Sequence, residues 1–386
     1  MRSVMTRSTI ILPILLIIAL VAAFLTVQPF DYLTRGVPPD ESITVESVRL
    51  DDEGIHVTIR GSSAEPTVIA QVQVDGAYRF FSMSPNQSVG YLQTANINIP
   101  YPWVRGEPHH LAFVTATGQT FEHTINVAVT TPKLTMGSLL GFALIGLFVG
   151  IVPIIIGYSF YPALLSFGES GRAFAMALTI GLLAFLLVDT LGEGLEVAEK
   201  ATKALHANLA VWMSALVSCL VLLNLGRRSG RPPEGAALAL FIAIGIGVHN
   251  FGEGLVIGAS FAVGEIALAS FLVLGFALHN VSEGVAISAP IRKDAISFMT
   301  LAKLAIIAGG PAIPGTMIGA VSVSPFWTAL AFGIGAGAIL QVIIEVGSNV
   351  LKRRSDGTAS WQSAASLWGF ISGIAIMYVT AFLVSG

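Results

Sequence analysis

The chain has 386 residues, 54% of them hydrophobic and only 11% charged, with a mean hydropathy of +0.78. A soluble domain carries roughly 25% charged residues, so this composition excludes an ordinary globular enzyme and points to an integral membrane protein. The net charge of −3 comes with no basic cluster to suit a nucleic acid, and the one cysteine, Cys219, excludes an intrachain disulfide and a thiolate metal site.

Arg2 and Arg7 precede an apolar run from Ile10 to Val27. That length is near the lower limit of a membrane span and long for a signal-peptide core. Residues 1–30 are therefore expected to form an uncleaved N-terminal anchor, with a signal cleaved near Ala22-Ala23 as the alternative. Residues 31–134 differ in character. Short alternating runs such as Gly54–Ile59 and Thr67–Val74 are separated by Gly, Pro, Asn and Asp turns, which predicts a small antiparallel sandwich of about seven strands. Six of the 20 Lys and Arg residues fall in this segment, as expected of a folded domain in water.

From Met136 onward eight apolar segments follow, near 137–162, 173–197, 208–226, 235–260, 266–289, 297–321, 326–350 and 363–384, each long enough to span. With the N-terminus inside, eleven Lys and Arg residues face the cytoplasm: Arg2, Arg7, Arg172, Arg227, Arg228, Arg231, Arg292, Lys293, Lys352, Arg353 and Arg354. Only Lys200 and Lys203 lie in the short loops of the other side, and this bias puts residues 31–134 and the C-terminus outside the cytoplasm. The sixth segment holds Gly309-Gly310-Pro311-Ala312-Ile313-Pro314-Gly315, which should kink or break its helix, either for packing or as a functional hinge.

The fourth and fifth segments carry one motif twice: His249-Asn250-Phe251-Gly252-Glu253-Gly254 and, 30 positions later, His279-Asn280-Val281-Ser282-Glu283-Gly284. On a helix the His and Glu are four apart and the Asn and Glu three apart, so all three share a face and can converge on a cation. Asp189-Thr190-Leu191-Gly192-Glu193-Gly194 repeats the layout with Asp in place of His, and Gln341 and Glu345 repeat the one-turn polar pair. Both histidines fall about thirteen or fourteen residues from a span end, near the midplane at a rise of ~1.5 Å per residue. Asp189 and Glu193 sit toward the outer end of their span and Glu345 toward the inner end, so the polar residues form a file.

Five carboxylates within spans (Asp189, Glu193, Glu253, Glu283, Glu345) cost about 12–18 kcal/mol at 2.5–3.5 each. Interhelical hydrogen bonds return only about 0.6–2 kcal/mol apiece, and no Lys or Arg stands at matching depth in the sequence. A bound divalent cation balances the charge. Imidazole nitrogen with carboxylate and amide oxygen, without sulfur, suits Zn(II), Fe(II), Mn(II) and Cd(II), and suits Mg(II) poorly. Two His and two Glu can hold one ion, and Asn250 and Asn280 with bridging glutamates can hold a second.

Eight spans with a His-Asn-x-x-Glu-Gly motif on the fourth and fifth resemble the ZIP (Zrt-, Irt-like) metal-ion transporters over roughly residues 137–386. The resemblance implies an all-α polytopic membrane protein with an eight-helix core over 135–386, to which this chain adds the anchor helix and a small all-β extracytoplasmic domain. It implies a transport site at His249, Asn250, Glu253, His279, Asn280 and Glu283, with Asp189 and Glu193 where the family's second span commonly has a ligand and a Leu-Pro-Glu segment. Gln341 and Glu345 complete the expected pathway. An elevator-type carrier in the cell membrane, usually a homodimer, is implied, moving divalent metal toward the cytoplasm. The metal is then cargo, Zn2+ first, with no catalytic residue and no catalytic cofactor. The chain departs from the family in having Gly252 and Ser282 where Pro usually precedes the motif Glu, and in a short 227–234 loop without histidines. Asp189 hardens the entrance.

Two other readings compete. A membrane-embedded zinc-dependent hydrolase would use the same His and Glu residues, but no His-Glu-x-x-His motif is present. A metal sensor with the sandwich as receptor would call for a cytoplasmic signalling segment. Elsewhere, His109, His110 and His123 offer metal capture or plain surface residues, and Asn86-Gln87-Ser88 matches a glycosylation sequon. Lys303 is expected to snorkel, and Tyr101 and Trp103 to pack within their domain.

Overall fold

A computed structural model describes residues 12, 15–24, 26, 40–131, 133, 135–166, 168–227, 233–262, 266–291, 297–321, 324–355 and 363–385. Arg2, Arg7, Arg228, Arg231, Arg292, Lys293 and the side chains of Lys352, Arg353 and Arg354 lie outside the described residues. Of the eleven cations counted for orientation, Arg172 and Arg227 are therefore located.

The chain divides into residues 1–40 and residues 41–386. In the first unit an apolar helix, α1 (Leu15–Phe24), occupies the centre of the expected anchor.

The second unit begins with nine strands: β1 (Ile43–Asp51), β2 (Gly54–Gly61), β3 (Thr67–Val74), β4 (Ala77–Arg79), β5 (Ser82–Ser84), β6 (Ser88–Val89), β7 (Thr94–Ile99), β8 (His109–Thr115) and β9 (Thr120–Ile125). One antiparallel sheet runs β1-β2-β7-β5; the other runs β4-β3-β8-β9, with β6 also pairing β3. Alternate residues of both sheets, among them Ile55, Val57, Ile97, Val72, Leu111 and Phe113, form one shared core, so the architecture is a sandwich. The count exceeds the expected seven because β4, β5 and β6 have three residues or fewer, too short for an alternating pattern to register.

The helical part follows: α2 (Met136–Tyr158), α3 (Tyr161–Ser166), α4 (Glu169–Glu199), α5 (Ala207–Gly226), α6 (Gly235–Ala262), α7 (Ile266–Ser288), α8 (Phe298–Gly309), α9 (Ala312–Val321), α10 (Pro325–Ser355) and α11 (Ala364–Ser385). Thr135 and Ser138 cap the start of α2 reciprocally. Among the described residues, eight helical segments are long and apolar enough to cross a membrane, one for each expected span. The sixth comprises α8 and α9, broken at Gly310-Pro311 as its composition predicts. Pro311 cannot donate to the Ile307 carbonyl, and the chain re-forms one turn on, where the Ile313 N–H reaches Gly310 at 3.0 Å.

The helices pack in two groups, α4 with α5, α10 and α11, and α6 with α2, α7, α8 and α9; α10 joins the groups along α6. α10 is the most enclosed span, 67% buried over its apolar window, and α5 the least, at 17%. Leu209, Trp212, Leu216 and Leu220 on α5 are more than half exposed, an apolar outer surface suited to lipid rather than water. The glycine that ends each motif copy sits at a tight helix crossing. A Cβ on Gly254 would lie 2.6 Å from the Ala312 carbonyl of α9, and one on Gly284 would overlap the Ile154 carbonyl of α2. Small residues thus let α9 and α2 close against the motif helices.

Candidate metal centre

Both motif copies lie mid-helix, on α6 and α7, and all six of their polar side chains are buried: His249, Asn250, Glu253, His279, Asn280 and Glu283. Glu253 is their meeting point. Its Oε1 lies 3.0 Å from His249 Nε2 on its own helix and 2.6 Å from His279 Nε2 across the interface.

The asparagines tie the copies together crosswise. Asn250 Nδ2 donates to Glu283 Oε2 at 3.1 Å, and Asn280 Nδ2 to Glu253 Oε2 at 3.5 Å. Each amide spends its second proton on a carbonyl of a neighbouring helix that is interrupted by proline. Asn280 reaches Val149 O at 3.1 Å, the carbonyl that Pro153 of α2 leaves without a helical donor. Asn250 reaches Ala308 O at 3.0 Å, in the last turn of α8 before the Gly310-Pro311 break. With both amide protons committed, each asparagine turns its oxygen free.

Four buried acceptor atoms at this centre have no hydrogen-bond partner: His249 Nε2, Asn250 Oδ1, Asn280 Oδ1 and Glu283 Oε1. His249 Nε2 is close to Glu253, but without hydrogen-bonding alignment. A buried acceptor left unpaired costs about 1–3 kcal/mol, more for a charged group. All four are of the nitrogen and oxygen types that ligate a borderline divalent cation. Ligand atoms of His249, His279 and Glu283 lie within 4.8 Å of one another, the one such group of three among the described residues. The donor set therefore fits a metal ion.

Around this centre the other expected residues divide. Asp189 and Glu193 of α4 are half-buried and lie within electrostatic range of His249, His279 and Glu253. Gln341 and Glu345 of α10 are fully buried. The Gln341 amide has no hydrogen-bond partner at either atom. Glu345, by contrast, is paired with Arg227: Nε to Oε1 is 2.8 Å and Nη2 to Oε2 is 3.4 Å, and Ser348 Oγ lies 3.3 Å from the same guanidinium. This corrects the premise that no basic residue reaches the carboxylates of the spans. Arg227 caps the end of α5 and counts in the sequence as a loop cation, but its long stem carries the guanidinium inward.

Two residues important to this geometry were missed in the sequence reading. One is Arg227. The other is Thr190, fully buried on α4, whose Oγ1 lies 3.1 Å from His249 Nδ1. The signal for Thr190 was present, since it occupies the Asn position in the third, degenerate copy of the motif.

In the sandwich, His109 points inward. Its Nδ1 bonds Asp75 at 2.8 Å and its Nε2 accepts the Val104 N–H at 3.3 Å, so neither nitrogen is offered to a metal. His110 contacts Thr124 at 3.1 Å. Tyr101 and Trp103 do pack within the domain, bonding Asp75 and the Asp51 carbonyl.

Neither the known protein-family models nor the curated proteins contain a match to this chain.

Proposed function

We propose that this chain carries divalent transition-metal ions across a membrane toward the cytoplasm, in the manner of the ZIP transporters its motifs resemble. Zn2+ is the leading cargo, with Fe2+, Mn2+ and Cd2+ as alternatives. The observation that carries the reading is the set of four buried, unpartnered acceptors among two histidines, two glutamates and two asparagines, on helices apolar enough to span. A divalent ion supplies the positive charge those atoms lack. Mixed nitrogen and oxygen ligands also release an ion more readily than a thiolate cage would, which transport requires.

In this reading His249, Glu253, His279 and Glu283 hold the ion, and Asn250 and Asn280 extend the shell or bridge to a second ion. Asp189 and Glu193 form the outer approach and Gln341 and Glu345 the inner one, with the sandwich and the C-terminus outside the cytoplasm. The protein is a homodimer of the cell membrane. Binding and release need no covalent step, and the chain is not an enzyme.

Uptake of radiolabelled Zn2+ into proteoliposomes containing the purified protein tests this. Flux above protein-free vesicles is expected, lost in Glu253→Ala and in Glu283→Ala. Flux no greater than in protein-free vesicles, or flux unchanged in both variants, overturns the proposal. Competition by Fe2+, Mn2+ and Cd2+ in the same assay ranks the cargo.

A further inference from the structure

We infer that Thr190 is a positioning residue for the metal site: it holds His249 in the Nδ1–H form and so aims the Nε2 lone pair at the ion. The inference rests on the metal-binding reading above, and it deepens it by adding a third helix to the site.

Thr190 is fully buried, so water does not satisfy its hydroxyl. Its Oγ1 lies 2.6 Å from the Leu186 carbonyl one turn earlier on α4, and 3.1 Å from His249 Nδ1 on α6. A hydroxyl has one proton to donate and lone pairs to accept with. A carbonyl oxygen can only accept, so the Thr190 proton goes to Leu186. The remaining contact is then favourable only if His249 Nδ1 is the donor. With the proton on Nδ1, a neutral imidazole presents its lone pair at Nε2. That nitrogen is the one beside Glu253 at 3.0 Å, and the one without a hydrogen bond.

The opposite tautomer fails at the threonine. It would set the Nδ1 lone pair against the Thr190 lone pairs in a water-free site. Histidine ligands commonly donate their second nitrogen to an outer acceptor that fixes tautomer and ring orientation, and losing that partner typically weakens metal binding 10–100-fold. A threonine within a helix already satisfies its own proton on the carbonyl of the preceding turn. The contact with His249 is thus additional to anything α4 needs for itself. α4 and α6 belong to different helical groups, so Thr190 reaches the motif from outside the pair of helices that carry it.

The test uses the purified full-length chain with Thr190→Val and Thr190→Ser. Valine keeps the shape and removes the acceptor, whereas serine keeps it. Co2+ binding by calorimetry should weaken roughly 10–100-fold in the valine variant and recover to near wild type in the serine variant. Without metal the serine variant should melt near the wild type and the valine variant lower, because its buried His249 Nδ1–H loses its partner. In nitrogen-15 spectra of histidine-labelled protein, the His249 signal, identified by its loss in His249→Gln, should show the Nδ1–H tautomer, and Thr190→Val should abolish that preference. Wild-type affinity in the valine variant, or an Nε2–H tautomer in the metal-free wild type, overturns the inference. A wild type that binds no Co2+ overturns the metal-binding reading instead, and the tautomer spectrum still decides the role of Thr190.

Discussion

Glu253 accepts from the His279 imidazole with one oxygen, which also lies 3.0 Å from His249 Nε2, and from an asparagine with the other. Glu283 accepts from Asn250 with one oxygen and has the second unpaired. The two motif copies are thus unequal although their sequences match. Glu253 organises the histidines, and Glu283 offers a bare ligand. Glu253→Gln should therefore disturb both imidazoles and weaken metal binding by two orders of magnitude or more, at about 1.4 kcal/mol per tenfold. Glu283→Gln removes one ligand and should weaken binding less, by roughly 10–100-fold or about 1.4–2.8 kcal/mol. Calorimetry on the two variants checks the order, and equal losses would mean the carboxylates are equivalent. The six motif residues were legible in the sequence because their spacing on one helix fixes their common face. The contacts of Thr190 and Arg227 were not, although Thr190 stands at the Asn position of the degenerate third copy, because each finds its partner on a different helix and periodicity carries no information about that pairing.

At the scale of elements, the eight spans could be read directly, since length and apolar composition decide them. The break between α8 and α9 was legible for the same local reason, two prolines among three glycines. What could not be read is the use made of the carbonyl that Pro153 leaves. Asn280 satisfies Val149 O only because α2 crosses α7 at that level, and Gly157 and Gly284 set that crossing. This predicts an energetic coupling between Asn280 and Pro153. Asn280→Leu leaves the Val149 carbonyl buried and unpaired, and should cost about 1–3 kcal/mol. In a Pro153→Ala background the helix regains an N–H at position 153, which can bond Val149 O, so the same substitution should cost about 1 kcal/mol less. Denaturation of the four proteins of the cycle in detergent measures the difference. Additive losses would show that the asparagine does not serve that carbonyl.

Across the whole molecule, the sandwich and the helices have separate hydrophobic cores, and different variables should act on each. In the sandwich, burial pushes the Asp75 carboxyl up, but the His110 N–H, the His109 imidazole and the Tyr101 hydroxyl outweigh it and hold it below the usual carboxylate range. The His56 imidazole lowers Asp51 likewise. A carboxylate with a depressed pKa stabilises the fold above its unfolded value, near 4, and that stability is lost as pH falls through the lowered value. Acid should therefore loosen the strands around Asp75 below about pH 4. The effect should be modest, because the Asp75 side chain is 35% exposed. Metal should act on the other core. An ion bound only by the folded helices stabilises them by about 2.7 kcal/mol at a hundredfold excess over Kd. Hydrogen exchange resolved by segment separates the two responses. Zn2+ at neutral pH should slow exchange in α6 and α7, where the ligands sit, and in α2 and α8, whose carbonyls the asparagines hold, while β1–β9 stay unchanged. Lowering the pH from 6 to 3.5 without metal should lower protection factors, corrected for the slower intrinsic exchange in acid, first near β3 and β8. Slowing by Zn2+ in the strands rather than the helices would move the metal site to the histidines of the sandwich. That outcome would conflict with His109, whose two ring nitrogens are already engaged.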